Sequence, residues 1–131
     1  MSEQPRIELP DDVIEYEALQ VLADPDAGGD AEFLTEIIDL FLIDSPPRVE
    51  KILAAAECEP EQAARVAHSL RSSCANLGAR RLELICARID ELGKHAAGAG
   101  ITELAAMIPA EYEAAARLLK AERDRVIRLA A

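Results

Sequence analysis

The chain has 131 residues and a formal net charge of −11, from 14 Lys plus Arg against 25 Asp plus Glu. Half of it is apolar and only 3% is aromatic, with no Trp, so a single domain built on Ala, Leu, Ile and Val is expected, the stock of packed helices. The acid excess argues against a nucleic-acid binder and against an anionic membrane surface, and so few aromatics leave little for base stacking.

No apolar run approaches the ~20 residues of a membrane span. The opening MSEQPRIELPDD has neither the basic nor the apolar region of a signal peptide. Cys58, Cys74 and Cys86 are odd in number and form no C-x-x-C pair, which reads as free thiols in a reducing, cytoplasmic setting.

Residues 1–10 carry two prolines and little pattern and are expected to be a flexible lead-in; residues 11–129 are expected to form one domain. Asp11 and Asp12 suit a first helical turn, and Val13, Tyr16, Leu19 and Leu22 recur about one turn apart, so a short helix is predicted from Asp11 to Ala23. The stretch 23–31 is loop chemistry, with Asp30 placed to cap the next helix. Phe33, Leu34, Ile37, Ile38, Phe41 and Leu42 give that helix a wide apolar stripe. Pro46 and Pro47 each remove a backbone donor, so a kink or a new start is expected there before Val49, Ile52 and Leu53 resume the face.

Pro60 opens a further helix to about Leu77, with Gly78 ending it. Another is predicted from Arg80 to about Ala96. Gly98–Gly100 should break that helix, and Thr102 should cap a last helix that Pro109 bends. With no strand alternation and short connections, the expected fold class is all-α: an up-and-down antiparallel four-helix bundle plus a short N-terminal helix.

One residue does not suit a plain bundle. At about 100° per residue, with His68 at zero, Val66 falls at about 160°, Leu77 at about 180°, Leu70 at about 200° and Cys74 at about 240°. The apolar stripe is therefore centred nearly opposite His68. Its own face holds Glu61, Ala64, Arg65, Arg71, Ser72 and Ala75. An exposed imidazole flanked by a cation and small side chains admits a close partner and a transferred phosphoryl group.

The segment AHSLRSSCANLGA (67–79) resembles the histidine-phosphotransfer (HPt) motif, roughly A-H-x-L-K-G-x-x-x-N-L-G-A. Ala67, His68, Leu70, Asn76, Leu77, Gly78 and Ala79 match it. The likeness extends to residues 33–56, which look like the family's preceding helix, and to 82–94, which look like the one that follows. Arg71 stands where the family has Lys, keeping the charge on a planar fork. Ser72 stands where the family has Gly, which lets a partner approach closely.

The resemblance implies that His68 carries the phosphoryl group with Arg71 and Ser72 beside it. Ala64, Arg65, Ala75 and Asp90 would lie in the docking neighbourhood, Asp90 at the place of a polar residue that orients the imidazole. It further implies receiver domains of response regulators or of a hybrid histidine kinase as partners, the receiver supplying the aspartate and Mg²⁺. The chain itself holds no Gly-rich phosphate loop, so neither ATP binding nor a cofactor of its own is expected. An unperturbed imidazole, with pKa ≈ 6.5, offers a neutral nucleophilic nitrogen near pH 7.

Charge patterning fits such a partner. Residues 61–94 hold six Lys/Arg against four acids, whereas residues 1–30 hold nine acids and only Arg6. An acidic receiver pocket would be steered toward the locally basic helix, into a small, transient interface below ~1,200 Å². Three other readings compete. One is a helical adaptor that has lost transfer, favoured by Ser72. Another is a kinase-binding inhibitor. The third is a metal site on His68, His95 and the cysteines, which the spacings oppose because His68 and Cys74 fall on different faces and no i, i+4 His/Cys pair exists.

Overall fold

The computed structural model describes residues 7–95 and 98–130 as an all-helical bundle, with no strand among them. The helices are α1 (Tyr16–Ala23), α2 (Ala31–Ala55), α3 (Pro60–Asn76), α4 (Arg80–Gly93), α5 (Gly98–Ala105) and α6 (Ile108–Ala130). α2 packs on α1, α3 and α6, α3 packs on α4, and α4 packs on α5 and α6. Along α3 and α4 the meeting residues run in opposite order, His68 with Asp90 and Ala64 with Gly93, so the two helices form an antiparallel hairpin. On α2 and α6, Asp39 pairs with Arg123 and the Phe41 ring lies 5.7 Å from that of Tyr112, which sets these two antiparallel as well.

The core draws on every helix. Leu34, Ile38 and Ile52 of α2 meet Leu70 of α3, Ile85 and Ile89 of α4, Ile101 and Leu104 of α5, and Leu119 of α6, all essentially without solvent contact. Such a side chain contributes roughly 1.5–3 kcal/mol when fully buried, so these stripes hold the short connections in place.

Local signals end the helices where expected at two sites. Asp30 is extended and its carboxylate accepts from the Phe33 amide at 2.7 Å, capping α2. At the end of α3, Gly78 takes φ +69°, the Ala79 amide donates to Cys74 O at 3.0 Å, and the Gly78 amide donates to Ala75 O at 3.3 Å. That is a Schellman closure, and a Cβ at Gly78 would also lie 2.4 Å from the Glu15 carbonyl oxygen.

Elsewhere tertiary packing overrode the local pattern. α2 runs unbroken through Pro46 and Pro47, so no new helix starts there. Both prolines are exposed, which leaves the carbonyls they fail to serve open to water, while Phe41, Ser45, Val49 and Ile52 hold the other face in the core. Ser45 is buried, and its Oγ has no hydrogen-bond partner among the described residues.

α1 starts at Tyr16 rather than Asp11. Glu15 is extended, and its amide donates to Gly78 O at 2.8 Å. Of the expected flexible lead-in, residues 1–6 lie outside the described residues. Residues 7–10 instead lie along the bundle: Ile7 and Leu9 are half-buried against the core, and the Pro10 carbonyl accepts from Arg81 Nη1 at 2.6 Å. Arg81 also donates twice to Glu111, which ties the segment to α4 and α6 at once.

α4 ends at Gly93, and Ala96 lies outside the described residues. The preceding helix ends before Gly98–Gly100, which instead begins α5, because Ile101, Leu104 and Ala105 bury one face of that helix and offset the glycines' poor propensity. Thr102 therefore lies inside α5 rather than capping the last helix, which starts afresh as α6 at Ile108. Pro109 falls in the first turn of α6, where a missing amide costs nothing and no bend is required.

Candidate functional site

The centre lies on the α3–α4 hairpin. His68 sits mid-helix on α3 with its side chain 66% exposed, as the wheel required. Its Nδ1 lies 2.9 Å from Oδ2 of Asp90 on α4, whose side chain is only 11% exposed. A carboxylate accepts and does not donate, so Nδ1 carries the proton of this bond. The tautomer that results leaves the Nε2 lone pair free, on the ring edge that the Asp90 contact does not occupy.

Helix contact decides this geometry. Gly93 is buried, and a Cβ there would lie 2.1 Å from Ala64 Cβ and 3.5 Å from Pro60 O. The absent side chain lets α4 settle against the first half of α3, less than one turn from Asp90. Ala64 is accordingly buried in the helix interface, not presented to a docking partner. On the wheel it shares a flank with Arg71 and Ala67, and α4 covers that flank.

Arg71 lies one turn after His68, half-exposed, with Nη1 3.6 Å from Asp90 Oδ2. Ser72 is exposed and its hydroxyl makes a long 3.5 Å contact with the His68 carbonyl oxygen. Arg65 and Ala75 are exposed, Arg65 donating to Gln62 Oε1 at 2.7 Å. His68, Arg71, Ser72, Arg65, Ala75 and Asp90 thus border one surface, and Ala64 does not. Beside it, α2 exposes Leu40, which lines a groove with Asp44 of α2 and Ser73 and Asn76 of α3; Ile43 of α2 is exposed as well. The sequence reading did not single these out. Leu40 lies just past the margin of the α2 stripe and Ile43 nearly opposite it, and only the packed bundle shows that Leu40 borders a groove shared with α3.

The remaining candidate chemistry does not converge here. His95 is exposed beyond the end of α4. Cys74 and Cys86 are buried. Desolvation, with a smaller contribution from Glu83, pushes the Cys86 thiol up to about 12; desolvation, then Cys86 and Glu83, pushes Cys74 higher still. Thiols so far from ionising are poor nucleophiles. Among the described residues no group of three His, Cys, Asp or Glu side chains is placed to hold a metal ion. No helix among them is long and apolar enough to cross a membrane.

An exposed, carboxylate-anchored histidine on a helical hairpin is a geometry that suits a phosphoryl carrier. Comparison with family models agrees: the Hpt domain model matches residues 36–124, and the chain belongs to that family of phosphorelay histidine-phosphotransfer domains. Neither the curated proteins nor the solved structures compared with the chain include a match.

Proposed function

We propose that the chain is a cytoplasmic phosphoryl carrier that accepts a phosphoryl group on His68 from a receiver-domain aspartate and passes it to another receiver. The observation that carries this reading is the pairing of an exposed His68 with the nearly buried Asp90, which leaves Nε2 as the nucleophile. Receiver domains of response regulators or of a hybrid kinase are the partners. Mg²⁺ belongs to the receiver's pocket. Phosphoryl transfer requires alignment and charge neutralisation more than covalent machinery. Asp90 supplies alignment, Arg71 supplies charge, and the side chains of Ser72 and Ala75 are short enough to leave access. A receiver would also cover Leu40, whose exposure beside the groove shared with α3 supports a docking face that extends onto α2.

The adaptor reading keeps one supporting observation, the Ser72 hydroxyl where the family has glycine. Incubation with a receiver domain charged by acetyl phosphate separates the two. Wild type should gain alkali-stable, acid-labile phosphate and His68→Gln none. Arg71→Ala should slow the transfer about tenfold, the worth of one charge-assisted contact, with an unchanged helical spectrum. A wild type that takes up no phosphate leaves the adaptor, and label on His95 would move the site.

A further inference from the structure

The Asp90 carboxylate serves two donors, an imidazole N–H and a guanidinium, through one oxygen. Oδ2 accepts from His68 Nδ1 at 2.9 Å and lies 3.6 Å from Arg71 Nη1. The first contact has hydrogen-bond length and the second is a loose ion pair. Asp90 is nearly buried, whereas the Arg71 side chain is 45% exposed and long enough to move. Arg71 also stands one helical turn from His68, so a group on Nε2 lies within its reach.

A phosphoryl group on Nε2 would therefore be a second anion competing for one guanidinium. It carries more charge than a carboxylate and has three acceptor oxygens, two of which match the guanidinium fork. We propose that Asp90 holds Arg71 in the empty protein and yields it to the phosphoryl group in the loaded one, so that this exchange sets how tightly the cargo is kept. The inference rests on His68 as the carrier.

During loading the Nε2 lone pair forms the N–P bond. The P–O bond to the receiver aspartate breaks, and its electron pair leaves on that carboxylate. The ring gains one positive charge, which faces Asp90 through the Nδ1–H bond. Arg71 makes and breaks no covalent bond; it exchanges one anion for another. Its contribution to the loaded state is the phosphoryl contact less the Asp90 contact that it gives up.

Phosphoramidate tests this without a receiver, since Nε2 attacks its phosphorus and ammonia leaves. His68 loading is read by site-resolved mass spectrometry across phosphoramidate-to-ammonia ratios for wild type, Asp90→Asn, Arg71→Ala and the double variant. Arg71→Ala should weaken loading about fivefold more in the Asp90→Asn background than in wild type, the scale of a half-exposed ion pair. Equal or smaller losses in the Asp90→Asn background overturn the exchange. In wild type, the ¹⁵N guanidinium signals of Arg71 should shift on loading, and unmoved signals also overturn it. Failure of receiver transfer with normal phosphoramidate loading would sink the proposed function alone; a His68 that never loads would sink both.

Discussion

At the scale of single residues, the molecule separates one solvent-facing side chain of the proposed site from several buried ones by where each is placed. His68 faces water with one nitrogen occupied by Asp90. Cys74 and Cys86 face the core and are kept protonated by burial. Their raised values tie stability to pH. A thiol whose folded pKa lies above its unfolded value near 8.5 contributes stability that is fully present below about pH 8.5 and lost as pH rises toward the folded value. The unfolding free energy read from urea titrations under reductant should therefore fall from pH 8 to pH 10 by about 2 kcal/mol per buried thiol, with the midpoint falling in step. Tyr112, raised chiefly by burial, adds the same sign at higher pH. A midpoint unchanged over that range would show that the thiols ionise freely in the fold.

Residue by residue, the sequence was legible where the signal is local. The cap at Asp30, the closure at Gly78 and the outward face of His68 each follow from a few neighbours and the helical period. Asp90 was visible only as an acid at the right distance along the chain, because its partner is chosen by how deeply α4 settles on α3. Ala64 was misplaced for the same reason: the wheel gives an angle about the axis but not which flank a second helix covers.

At the scale of elements, the α3–α4 contact is the feature on which the centre depends. Gly93→Ala would drive a methyl into Ala64 and force the helices apart. It should cost about 1–3 kcal/mol, as overpacking does, and lengthen the His68–Asp90 contact. Thermal unfolding reads the first effect. The second should appear as a mixture of ring tautomers in the ¹⁵N spectrum of His68 where wild type shows only protonated Nδ1. A stable variant with an unaltered tautomer would mean that the hairpin has slack. α2 and α5 show why element boundaries resist reading: two prolines are tolerated and two glycines are helical because the opposite faces are buried.

At the scale of the whole molecule, the charge contrast is narrower than the residue counts imply. Of the six bases between residues 61 and 94, Arg80 pairs with Glu83, Arg81 with Glu111 and Arg88 with Glu91. Arg65, Arg71 and Lys94 remain, Arg71 only loosely paired with Asp90 and Lys94 at the far end of α4, so steering of an acidic partner falls chiefly on Arg65 and Arg71, which flank His68 on the same helix face. The sequence held the charges but not their pairing, since Glu111 reaches Arg81 from another helix.

His68 and Asp90 lie 22 positions apart, within one hairpin closed by the short turn 77–79. Bringing them together closes only a small loop and needs no distant strand of chain, so this pair is among the cheapest long contacts in the molecule to form. The reactive centre should behave as a cooperative sub-unit that outlasts fraying of the C-terminal helix. Native-state hydrogen exchange would then show the amides of α3 and α4 opening together and later than those beyond residue 120, whereas simultaneous opening would mean that the centre is only as durable as its most exposed neighbour.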